Sequence, residues 1–222
     1  MRSPRFHGGL AAAGIAVAAV LVVDGHVDPN SDLDPWSLTI SDFAVSDRGG
    51  VIDVAMVVAA LATLVALAGL RAAGIRLRGW PAALFSLWIG GLVLAAVVPT
   101  TEPGLALNGA AYVHRYASVV AFAALPLAAL TLAARLPAGA VVRWMRGLTV
   151  TSAVCLLAML YSAYPGHRLL IGLAERALIA SEVAVVAVLA VALLRHGGTL
   201  RHAFRGQDED PPRGQARAGP SD

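Results

Sequence analysis

The chain has 222 residues, 58% of them hydrophobic and only 14% charged, with a formal net charge of +3. A water-soluble domain carries roughly a quarter charged residues, so a mean hydropathy of +0.71 leaves too little polar surface for a soluble body, and the solvent that fits is lipid. The basic balance does not point to nucleic acid: phosphate binding needs basic side chains clustered on an aqueous face, whereas these arginines stand singly between apolar runs and no lysine occurs.

A helix crosses the hydrocarbon with about 20 apolar residues, because its backbone polar groups must be satisfied internally there. Six runs approach this, at residues 8–23, 51–70, 81–98, 116–134, 147–164 and 174–194. The reading is all-α, a bundle of six transmembrane helices over residues 1–205. A tail, 206–222, is too rich in Gly, Pro and charge to bury apolar surface and is expected to be disordered. Arg2 and Arg5 ahead of the first run also describe a signal peptide. No small-x-small site follows the apolar stretch before Asp24, Gly25 and His26, so an uncleaved anchor is expected.

Positive loops stay on the cytoplasmic side. Of 17 arginines, only Arg48, Arg115, Arg168 and Arg176 fall in the intervals opposite the N-terminus, together with Asp24, Asp28, Asp32, Asp34, Asp42, Asp47 and Glu102. Both termini therefore read as cytoplasmic, in a multi-pass protein of the cell membrane. Ser86 and Gly90 make a small-xxx-small step that Gly91 extends, a pattern that lets helices approach closely. Pro126 is expected to kink its helix and free a carbonyl. Cys155, the lone cysteine, reads as a small core residue.

Ionisable residues at membrane depth are costly, so each is a functional candidate. Asp53 begins the second run, His114 and Arg115 open the fourth, and Glu175 and Arg176 open the sixth, with Glu182 about two turns deeper on the same face as Glu175. Pairing of Glu182 with Arg115, Arg176 or His114 would offset its burial. Ser118, one turn below His114, extends a polar face inward.

Other constellations fail. Asp28, Asn30, Asp32 and Asp34 alternate like the start of a calcium loop, but Leu33 stands at the turn glycine and Thr39 at the bidentate glutamate position. Only His114 lies near a span, so paired haem ligation is not supported. Neither a phosphate-binding glycine loop nor a nucleophile elbow occurs.

The stretch Ile40-Ser41-Asp42-Phe43-Ala44-Val45-Ser46-Asp47 before Gly49, then Val98-Pro99-Thr100, Gly109 through His114-Arg115, and Gly172 through Glu175-Arg176, resembles the bacterial and archaeal Domain of Unknown Function 998 family. The resemblance covers residues 8–194. It implies a six-helix membrane protein without an assigned role, and it points to Asp47, His114, Glu175 and Arg176 as the shared feature. The first outer loop and the helix count are also faintly similar to the Frag1/DRAM/Sfk1 membrane proteins, which implies lipid-linked regulation.

The resulting expectation is a non-enzymatic protein whose outer-leaflet polar pocket, built by Asp53, His114, Arg115, Glu175, Arg176 and Glu182, binds a lipid headgroup or small ligand. An outer-loop motif of Asp42, Asp47 and Arg48 stands beside it. Membrane lipid is the expected partner, nucleic acid is not, protein partners are not legible, and no cofactor or metal is implied. Two alternatives stand: a lipid hydrolase or transferase using His114 with a carboxylate such as Asp53 or Glu175, and a proton-coupled transporter working through Glu182. A charge network that only fixes the helices accounts for the same residues.

Overall fold

The computed structural model describes residues 3–27, 34–45, 49–102 and 105–208, the last of these without side chains from 196 onward. Asp28, Asn30, Asp32, Asp47, Arg48 and the tail from 209 onward lie outside the described residues. The described chain is helical: α1 (Pro4–His26), the short α2 (Ile40–Phe43), α3 (Gly49–Ala72), α4 (Trp80–Val97), α5 (Gly109–Ala133), α6 (Ala140–Ala163) and α7 (Ile171–Asp208). Six of these, all but α2, are long and apolar enough to cross a membrane.

Helix ends are set by local chemistry. Ser3 Oγ accepts from the Phe6 amide at 3.3 Å with Pro4 following, and Asn108 Oδ1 accepts from the Ala111 amide at 2.9 Å. Each satisfies an amide the helix leaves unbonded. Because that asparagine cap starts α5 at Gly109, His114 and Arg115 sit in its second turn rather than at its opening. At the far end of α3, Gly74 adopts φ 92°. The Ile75 amide bonds Leu70 O at 2.9 Å and the Gly74 amide bonds Arg71 O at 3.0 Å, a Schellman stop. Helix α7 continues unbroken through residues 206–208, which the composition alone assigned to the tail.

Successive long helices pack side by side, α1 on α3, α3 on α4, α4 on α5, α5 on α6 and α6 on α7, while α7 also touches α1, α3 and α5. Helix α7 is thus the element around which the rest are gathered. Small residues permit this. A Cβ on Gly8 of α1 would lie 2.7 Å from Ala190 O of α7, and one on Gly91 of α4 would lie 2.8 Å from Ala117 O of α5. Gly90 has open space around it and Ser86 is exposed, so the tight α4–α5 approach runs through Gly91. Thr149 Oγ1 of α6 donates to Pro126 O at 3.2 Å, and Trp88 Nε1 of α4 donates to Thr63 Oγ1 of α3 at 3.2 Å.

Candidate functional site

At one end of the bundle, residues 34–43 fold over the start of α7. Asp34 begins the fold: its carboxylate accepts from the Trp36 amide at 3.1 Å and from Ser37 Oγ at 2.6 Å. These two bonds, Ser37's foremost, hold its carboxyl below the ordinary aspartate range. A reciprocal capping box then starts α2, in which Thr39 Oγ1 accepts from the Asp42 amide while Asp42 Oδ2 accepts from the Thr39 amide. The Gly172 amide donates to Trp36 O at 3.1 Å. Only glycine fits there, since a side chain at 172 would run into Pro35 O and Leu38 O.

Arg176, one turn along α7, ties this cover down. Its Nη1 donates to Pro35 O and Leu38 O at 2.8 Å each and to Gly172 O at 3.0 Å, and Nη2 donates to His26 Nε2 at 2.8 Å. Since a guanidinium only donates, His26 Nε2 must accept. The His26 proton therefore sits on Nδ1, which donates to Val22 O at 2.6 Å. Phe43 of α2 stacks on the His26 ring at 4.5 Å, and the guanidinium lies 5.1 Å from the Phe43 centroid. Next to it, the Glu175 carboxylate, 4% exposed, accepts from the Ile40 amide of α2. Arg168 Nη2 pairs with Asp42 Oδ2 at 2.6 Å, from a connection in which His167, Arg168 and Leu170 all take positive φ.

Below this cover lies a cavity of about 500 Å³ walled by α1, α3, α4, α5 and α7. Ile40 and Ser41 form its α2 end, with Glu175, Arg176 and His114 around them. Ile52 and Ile179 pack in one cluster with Ile40 at this end, and deeper the walls are Ile15, Met56, Leu92, Phe122 and Val183. His114 is buried, with Nδ1 at 2.9 Å from both Ala95 O of α4 and O of its C-cap, Val98. Two carbonyls at one nitrogen place the proton on Nδ1 and leave Nε2 a lone pair in the neutral ring. Ser118 Oγ donates back to His114 O at 3.0 Å.

The cluster expected from sequence divides. His114, Glu175 and Arg176 meet at the cavity. Asp53 is half-buried in the second turn of α3, within electrostatic reach of His114 but off the cavity wall. Arg115 is exposed, because one residue beyond His114 is 100° around the helix. Glu182 is 0% exposed, and neither carboxyl oxygen has a hydrogen-bond partner among the described residues, so it pairs with none of the three groups proposed for it. Nor does it line the cavity. Among the described residues, no three His, Cys, Asp or Glu side chains group as metal ligands would. The expected polar pocket is instead an apolar chamber with a polar rim. His26 falls beyond the apolar run 8–23, yet it is the last residue of α1 and the partner of Arg176; its spacing of four from Val22 was the available signal.

A family model described as "Protein of unknown function (DUF998)" matches residues 10–192. No curated protein and no solved structure matches the chain.

Proposed function

The chain belongs to the DUF998 family of proteins of unknown function, and on that premise we propose that it is a membrane protein that binds the apolar chain of a lipid in the cavity beneath α2. The observation that carries this is the wall chemistry. A volume of about 500 Å³ is that of a ligand site, and apolar walls favour hydrocarbon over water.

Access from the bilayer supports the same reading. Helices α1 and α7 are clamped where Gly8 meets Ala190 and latched where His26 meets Arg176. Between those points the cavity is bounded by Ala19, Val23 and Ala180, all exposed on the lipid-facing side. That seam is a sideways entrance. The polar rim is rich in acceptors, since Glu175 and His114 Nε2 accept while Arg176 already donates to three carbonyls. A head group that donates hydrogen bonds, a hydroxyl or an ammonium, fits best. With both chain ends cytoplasmic, as the arginine distribution indicates, the rim lies in the outer leaflet of the cell membrane.

The test fills the site. Mass spectrometry of lipid retained by detergent-purified protein is compared for wild type, Ala59→Phe inside the cavity, Ala180→Phe at the seam, and Ala177→Phe on an exposed face of α7 outside it. Overpacking costs about 1–3 kcal/mol, so retained lipid drops about tenfold in the first two variants and stays at the wild-type level in the third. Equal retention in all four would refute the proposal.

A further inference from the structure

At the end of the bundle away from α2, a second cleft of about 600 Å³ lies between the C-terminal half of α3 and the N-terminal half of α4, with His7 of α1 at its rim. We propose that this cleft binds the phosphodiester and one chain of an anionic glycerophospholipid, independently of the cavity under α2. Arg71 and His7 supply the two ionisable side chains on its lining, and no carboxylate joins them.

Arg71 is the group poised for the anion. Arg71 is exposed and has no side-chain partner among the described residues, and a guanidinium matches phosphate with paired donors. It is held at the end of α3 by the Gly74 stop, which uses its backbone carbonyl and leaves its side chain free. His7 is fixed by close packing, since a Cβ at Gly69 of α3 would stand 2.8 Å from that of His7. Its Nδ1 lies 2.9 Å from Ser3 O and keeps the ring proton there, so His7 walls the rim and the guanidinium of Arg71 supplies the donors.

The remainder of the cleft fits the rest of a lipid. Leu64 lies seven residues from Arg71, about 10 Å along the helix, and Leu64, Leu67 and Ile89 make the deep walls apolar. Ser86 faces the cleft from α4 between these levels, exposed and without a hydroxyl partner among the described residues, in reach of an ester group. The small residue here opens a lined groove rather than a helix contact. A free phosphate would use only the charged end, whereas an amphiphile uses all of it, as basic pockets between spans do.

The experiment measures thermal unfolding of detergent-purified protein with phosphatidylglycerol, with phosphatidylcholine of the same chains, and with inorganic phosphate. Phosphatidylglycerol raises the transition well above the choline lipid, and phosphate leaves it in place. Arg71→Gln weakens the apparent phosphatidylglycerol affinity roughly tenfold, the worth of one charge-assisted hydrogen bond. Ser86→Leu, which fills the groove, does likewise, while Arg76→Gln, exposed at the same end but off the lining, keeps the preference. Equal response to both lipids, a phosphate shift as large as that of phosphatidylglycerol, or a preference retained in both Arg71→Gln and Ser86→Leu overturns the proposal.

Discussion

Glu175 and Glu182 stand two turns apart on one side of α7, both buried, and their surroundings differ in kind. Around Glu175 the chain supplies an amide from α2, a neighbouring guanidinium and a cavity. Around Glu182 the described residues supply no hydrogen bond. Burial alone therefore does not mark a binding group: the partnered acid holds α2 in place, while the unpartnered one is a cost to folding that the apolar packing around it must offset.

The sharpest way to break this contrast is to cut the anchor beside Glu175. Arg176→Ala leaves Pro35 O and Leu38 O without their donor and is expected to lower stability by about 3 kcal/mol, read by denaturant unfolding in detergent. A loss below about 1 kcal/mol would mean that the cover over α7 stands without its guanidinium. The two acids should next respond with opposite signs. Glu175→Leu orphans the Ile40 amide and costs about 2 kcal/mol, whereas Glu182→Leu removes an unsatisfied buried group and gains about 1 kcal/mol. If both changes destabilise equally, Glu182 has a partner and the distinction collapses.

The smallest effect is pH-dependent and lies at Asp34, outside the spans. Its folded value is held below the ordinary 3.8 by Ser37 and Trp36. The stability it lends the turn is therefore complete above that ordinary value and disappears as pH falls through the folded one. Asp34 is exposed, so the response is local. Protection of the Leu38 amide, which donates to Asp34 O, is expected to fall below about pH 4 in wild type and to lose this dependence in Asp34→Asn. Protection that ignores pH in wild type would sink the assignment.

The helical class, the six apolar spans and the family were legible because hydropathy at this length has one physical solution, and because short motifs mark the helix ends. Glu175, Arg176 and His114 were legible through the cost of charge in lipid. Helix α2 escaped because four residues carry no periodicity, although Thr39 and Asp42 at capping-box spacing signalled its start. Arg115 joined the expected cluster because adjacency in sequence was read as adjacency in space, and on a helix neighbours diverge by 100°. The cavity itself was not legible: Ile52, Met56 and Ile179 are ordinary apolar span residues, and only the placement of five helices makes them a wall.

The central position of α7 has a consequence for biosynthesis. The ribosome makes this helix after the five other long apolar helices, so the chamber lacks one of its walls, the Glu175 rim and the Arg176 latch until α7 has been made. On the proposed reading, the chamber stands open to surrounding lipid until then, and a lipid chain enters during synthesis rather than by later exchange.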